Sequence, residues 1–138
     1  MLLLSDDPAE AEKVVRPFVK HWMKLLAQNR LDEACSMIDE PNEYGNEWTP
    51  ARIRHIVQDT YGPETRFYQF HPEGPVFTDP DELEEQTDKE FMFSDDGSMG
   101  FFDYDVPLNH EWSGLTALWV FYRRANGFAA VLHDLHVL

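Results

Sequence analysis

Two long apolar stretches, residues 115–124 (LTALWVFYRR) and 128–138 (FAAVLHDLHVL), are separated only by Ala125, Asn126 and Gly127. An Asn-Gly pair between β-forming runs is the strongest short-range hairpin signal, because both residues tolerate the positive φ that a two-residue turn demands. With Asn126-Gly127 as the turn, Ala125 faces Phe128 and the pairing can be counted back. One face then carries Tyr122/Val131, Val120/His133, Leu118/Leu135 and Thr116/Val137; the other carries Phe121/Leu132, Trp119/Asp134, Ala117/His136 and Leu115/Leu138, since directly opposed residues share a face. Both faces are largely apolar. A helix layer covers only one of them, so a second copy of the chain is expected on the other, making a homodimer.

The rest of the chain supplies the helix layer and the remaining strands. Asp7-Pro8-Ala9-Glu10 has the form of a helix start, and Val15, Phe18, Val19, Trp22 and Leu26 continue it at helical spacing over residues 8–28. LDEACSMID places Leu31, Ala34, Cys35 and Ile38 on one side of a short second helix. Thr49-Pro50 opens a third, with Ile53, Ile56, Val57 and Tyr61 as its stripe and Gly62-Pro63 as its end. TRFYQFH (65–71) alternates as a strand does, and a Pro- and acid-rich connection over 72–88 contains one or two helical turns at Asp79-Pro80-Asp81-Glu82. KEFMFS and MGFFDYDV flank Asp95-Asp96-Gly97, a second hairpin in which Glu90 falls opposite Asp103. That like-charge pair is compatible with a solvated edge, a register one residue off, or a shared proton or cation. The expected class is α+β: three N-terminal helices on an antiparallel sheet of four to six strands, in a single domain spanning 1–138.

Acids outnumber Lys and Arg 26 to 11, a formal net charge of −15. Such a field repels nucleic acid and anionic lipid and speeds encounter with a cationic partner, although it also simply maintains solubility. Between Asp79 and Asp105 there are 11 acids and one lysine, Lys89. Asp79, Asp81, Glu82, Glu84 and Glu85 are therefore candidate contacts for a basic protein, set against the plainer reading of a solvated loop and a charged strand edge. The lone cysteine, Cys35, excludes an internal disulfide framework and points to a reducing compartment. MLLLSDDPAE lacks the basic and extended apolar regions of a signal peptide, and no run approaches the roughly 20 apolar residues of a membrane span. A cytoplasmic location is expected.

No phosphate loop, dinucleotide fingerprint, EF-hand or zinc spacing is present, so neither cofactor nor metal is expected. His133 and His136 lie three apart, which on a strand sends them to opposite faces. Asp134 and His136 lie two apart on one face, beside Trp119 in the counted register. A carboxylate orienting an imidazole at an aromatic wall suits general-base work, and a satisfied polar patch is its bland counterpart. In LNHEWSGLTA, His110 and Glu111 point apart as neighbours in extended chain. The stretch reads as a strand connection anchored by Trp112, with His110 at a pocket rim.

The order of three helices before a long-stranded antiparallel sheet, with RLDEACSMIDE as the short second helix, resembles the nuclear transport factor 2-like superfamily. PLNHEWSGLTALWVFYRR and HDLHVL also resemble the end of a family of small bacterial proteins of unassigned function. The superfamily resemblance implies a curved sheet forming a cone with a pocket between its concave face and the helices. Its members include isomerases and dehydratases, often with an Asp-His pair in the cone, and noncatalytic binding or immunity proteins. Here it implies catalytic Asp134 and His136 in a pocket lined by Trp119, Phe121, Tyr104, Trp22 and His110. The leading expectation is nonetheless a noncatalytic binding protein, concretely an immunity-type protein that neutralises a basic partner; a small-molecule isomerase or dehydratase is the alternative.

Overall fold

The computed structural model describes residues 1–138. Its elements are helices α1 (Pro8–Ala27), α2 (Leu31–Ser36), α3 (Pro50–Thr60) and α4 (Phe67–Phe70), a 3-10 turn at Pro80–Glu82, and strands β1 (Met92–Phe93), β2 (Met99–Leu108), β3 (Glu111–Arg124) and β4 (Gly127–Val137). The fold is α+β, with one antiparallel sheet in the order β1-β2-β3-β4.

Helix α1 forms where its stripe predicts, burying Ala11, Val15, Val19, Trp22 and Leu26. Asp7 occupies its N-cap position, but its carboxylate accepts no capping hydrogen bond. The Thr49 hydroxyl does cap α3, accepting from the Arg52 amide at 3.1 Å. Against the sheet, the Trp22 ring meets Trp119 edge-on at 5.3 Å, and Phe18 meets Trp119 at 5.6 Å and Phe121 at 6.2 Å. One buried cluster joins α1, α2 and α3 to the inner face of β2, β3 and β4.

The 65–71 stretch is not a strand. Phe67–Phe70 makes a single helical turn, because Phe67 stacks on His71 four residues on (4.6 Å) and on Tyr61 at the end of α3 (4.8 Å). The Phe67–His71 contact follows helical spacing, and neither contact needs a partner strand.

The C-terminal ribbon forms, but in a different register. Arg124 pairs with Gly127 and Arg123 with Phe128, so the turn is Ala125-Asn126. Asn126 does not adopt positive φ; Gly127 does, at 142°. A Cβ at Gly127 would lie 2.7 Å from the Leu2 carbonyl oxygen. The glycine thus serves the close approach of the N-terminal segment, whose Leu2 exchanges two backbone hydrogen bonds with Phe128. This shift of two residues preserves the faces as far as Trp119, which pairs with Leu132. A bulge at His133 then pairs Leu118 with Asp134 and Thr116 with His136. Past the bulge the register differs from the counted one by a single residue, which moves Asp134 and His136 to the face away from the helices.

In the other hairpin Met92 pairs with Phe101, the register in which Glu90 would continue opposite Asp103, although the ladder stops at Met92. The long edge of β4 is covered by side chains and loop backbone: the Asp39 amide donates to the Ala130 carbonyl (2.8 Å) and Trp48 Nε1 to the Leu132 carbonyl (2.7 Å). The opposite edge is left to the two-residue β1, a short and therefore weak template for further pairing.

Candidate functional site

Asp134 and His136 do meet, with Asp134 Oδ2 2.7 Å from His136 Nδ1. Their face carries Leu118 and Thr116 from β3 and Asp103 and Asp105 from β2. The Thr116 hydroxyl donates to Asp105 Oδ1 at 3.1 Å, and Lys89 Nζ lies 3.6 Å from the same oxygen. Partial desolvation pushes the Asp103 carboxyl above its usual range, with Lys89 and the two histidines opposing. A carboxylate-held imidazole of this kind can accept a proton at its other nitrogen.

Trp119 is not beside it. Trp119, Phe121, Tyr104 and Trp22 point to the opposite, helix-covered side and are at most 1% exposed. They are core residues, Trp119 packed on Trp22 and Phe121, and Tyr104 on Phe102 and Trp112, and the five main cavities are lined by none of the four, nor by Asp134 or His136. The bulge separates what the counted register had joined. Within that core, Trp22 Nε1 and Trp119 Nε1 are buried without hydrogen-bond partners.

The acidic segment is largely neutralised from within. Lys24 pairs with Asp81 and Asp79, Lys20 with Asp81 and Glu85, and Arg16 with Glu85. Glu82 lies 3.3 Å from His110 Nδ1. Of the five candidate contacts, Glu84 alone makes no ion pair, and its backbone carbonyl accepts from Trp112 Nε1 at 2.9 Å. Arg16 is the centre of this arrangement: its guanidinium donates to Glu85 (2.9 Å), the Gln86 carbonyl (2.7 Å), Glu12 (3.3 Å) and the Lys89 carbonyl, while lying over the Phe102 and Tyr104 rings. Burial pushes the Glu85 carboxyl upward, but hydrogen bonds from Lys20, Tyr104 and Arg16 outweigh it and hold the group at about 2.

His110 occupies a tight turn between β2 and β3. Asn109 and His110 have φ of 52° and 67°, the positive values that a primed two-residue hairpin turn imposes on both positions. Asn109 fastens residues 73–76 to this turn: its side chain accepts from the Val76 amide (2.8 Å) and donates to Glu73 (2.8 Å) and the Gly74 carbonyl (3.0 Å). The His110 amide donates to Thr78 Oγ1 at 2.8 Å. Together these residues border an open cavity of about 580 Å³ that also includes His71, Glu73, Asp79 and Glu82. His110 is thus a rim residue, although of a different hollow from the expected one. A second cleft, of about 430 Å³, lies between α3, α4 and the start of β3. The aromatic density of TRFYQFH was its only trace in the sequence.

Comparison with known proteins returns no matching family model, no matching curated protein and no matching solved structure.

Two outcomes are expected. The stabilisation carried by Glu85 is present above pH 4.5, the ordinary carboxyl value, and is lost as pH falls through about 2. In acid titrations of urea stability, Glu85→Gln should therefore flatten the decline between those values; an unchanged profile would show that the cluster contributes nothing. His110→Gly should raise stability by about 0.5–1 kcal/mol through relief of left-handed strain, read as a higher urea midpoint at constant slope.

Proposed function

We propose that this chain is a noncatalytic binding protein, on a nuclear transport factor 2-like scaffold, whose outer sheet face beside β1 docks a basic protein. The single observation that carries this reading is the directly paired Met92 and Phe101, which are 61% and 39% exposed on the side away from the helices. Asp103 follows Phe101 on the same face, and Glu90 and Asp95 flank the strand; none of the three forms an ion pair within the chain. Exposed apolar side chains bordered by carboxylates, of which Asp103 alone feels a nearby cation, Lys89, have the anatomy of an interface core with a charged rim, complementary to a cationic surface. Docking is thereby assigned to residues 90–103 in place of Asp79, Asp81 and Glu85, whose charges α1 already meets. An immunity-type role, occluding a basic toxin, is its concrete form.

The test uses a defined panel of small basic proteins and two double variants, Met92→Asp with Phe101→Asp, and Glu90→Lys with Asp103→Lys. Each should weaken the tightest interaction by about tenfold or more. Unchanged binding across the panel would overturn the reading. So would sedimentation showing a wild-type dimer that Phe101→Asp dissociates, since the occupant of this face would then be a second copy of the chain.

A second reading, a proton-transferring enzyme of isomerase or dehydratase type, is favoured by one observation, the 2.7 Å contact between Asp134 and His136. It requires that His136→Gln abolish turnover of a carbonyl substrate without loss of folding. Activity retained in that variant would dismiss the pair as a catalyst.

A further inference from the structure

The cleft between α3, α4 and β3 has the attributes of a small-molecule site. Its volume of about 430 Å³ falls within the range that such ligands occupy. Its walls are the rings of Tyr61, Phe67, Phe70 and Trp112. These are held in place: Phe67 packs between Tyr61 and His71, and Trp112 is tied through Nε1 to the Glu84 carbonyl. Phe70 is 69% exposed at the rim, an apolar ring that the protein itself does not cover.

The buried lining residue of the cleft is Leu108, and the exposed Gly114 of the long strand β3 lies in the same wall. Glycine weakens a strand, so its presence there needs a reason. Backbone conformation is not the reason, since Gly114 is absent from the positive-φ positions. Nor is packing, because a Cβ at this position would approach nothing closer than 3.9 Å, the distance to the Tyr61 hydroxyl and to Val137 Cγ1. Gly114 instead falls in the irregular stretch of β3, where pairing with β2 shifts between Asp105 and Pro107, and its missing side chain leaves the cleft open at that point.

Two charges in the lining are also unspent. Arg66 and Glu111 each line the cleft, and neither side chain makes a hydrogen bond or an ion pair within the chain. By contrast, the third ionisable member, His71, faces Glu73 at 3.5 Å. One free cation, one free anion and stacked aromatic walls describe the complement of a ring-bearing zwitterion. We propose that this cleft binds a small ligand of the aromatic amino-acid class, its carboxylate on Arg66, its ammonium on Glu111 and its ring against Phe70 and Trp112 above Gly114. A simple anion would enter against the field of a chain of net charge −15, and a simple cation would leave Arg66 facing it without compensation. The inference rests on this cleft alone and is independent of the outer sheet face.

The experiment is calorimetric titration of the full chain with L-phenylalanine, 3-phenylpropionate, which lacks the amine, and phenethylamine, which lacks the carboxylate. L-Phenylalanine should bind at least about fivefold more tightly than either truncated ligand. Arg66→Gln should reduce its affinity to that of phenethylamine while leaving phenethylamine itself unaffected; Glu111→Gln should do the same with respect to 3-phenylpropionate. Gly114→Val, which favours the strand and places a side chain in the open space beside Tyr61, should abolish binding at unchanged circular dichroism. The proposal is overturned by equal affinity for the truncated ligands, by intact binding in folded Gly114→Val, or by no heat with L-phenylalanine or L-tryptophan up to about 10 mM. Should Gly114→Val fail to fold, the two charge variants decide alone.

Discussion

The guanidinium of Arg16 determines how the chain passes from its helix layer to its sheet. Its side chain is 17% exposed, and it lies over two aromatic rings of β2 while its N–H groups hold Glu12, Glu85 and the carbonyls of Gln86 and Lys89. A planar group with a fixed fork of donors can satisfy several backbone and carboxylate oxygens at once, which an ammonium on a flexible stem cannot do in the same geometry. Apart from that of Glu12, the oxygens it gathers come from one continuous segment, 85–89. That segment delivers Gln86, whose side-chain amide donates to the Asp105 carbonyl and accepts from the Asp105 amide, both at 3.3 Å. Gln86 therefore acts as a substitute strand partner where β1 is too short to reach. Glu12, held by the same arginine, accepts from the Phe91 amide at 2.8 Å and so sets the start of β1.

The ribbon of β3 and β4 shows how little is needed to reverse a functional expectation. Its existence follows from two nearly continuous apolar runs around an Asn-Gly pair, and so does the placing of Trp119 and Phe121 on one face. The position of the turn does not follow, because Gly127 answers to a contact with Leu2 that lies 125 residues away in sequence. The bulge at His133 is equally invisible locally. Asn42 and Trp48 reach the carbonyls of His133 and Leu132 from the loop before α3, and such loop-to-strand bonds stabilise an irregular edge that no period in β4 announces. One inserted residue then transfers Asp134 and His136 from the core side to the open side.

The legible parts of the molecule are those in which local chemistry and tertiary packing agree: the stripes of α1 and α3, the proline-led helix starts, the 3-10 turn after Asp79, and the strand content of the last third. The parts that escaped are those settled by distant partners. TRFYQFH alternates like a strand, yet it has no neighbouring strand, and Phe67 finds its contacts at Tyr61 and His71 along a helical turn. The 79–85 acids look like a free surface in sequence because Arg16, Lys20 and Lys24 lie more than 50 residues earlier. Asn109-His110 lacks the glycine that announces a tight turn, and it is instead held there by hydrogen bonds to residues 73–78.

These internal pairings alter what a net charge of −15 means. If acids and bases were mixed at random over the surface, the excess would be diffuse and would say little beyond solubility. Here, however, Arg16, Lys20 and Lys24 of α1 are spent on the 79–85 segment, Lys13 on Glu10, and Arg123 and Arg124 on Asp6 and Glu40. Arg52 lies over the Trp48 ring and Arg54 reaches Asn29, each without an ion pair. Three arginines, Arg52, Arg54 and Arg66, are thus left without an ion pair, and Arg66 is the one that lines the aromatic cleft. Several carboxylates without an ion pair, Glu90, Asp95 and Asp103 among them, lie around β1. A chain that confines its cations in this way presents two chemically different surfaces, and the two proposed occupants, a basic macromolecule and a small zwitterion, would be separated by location alone.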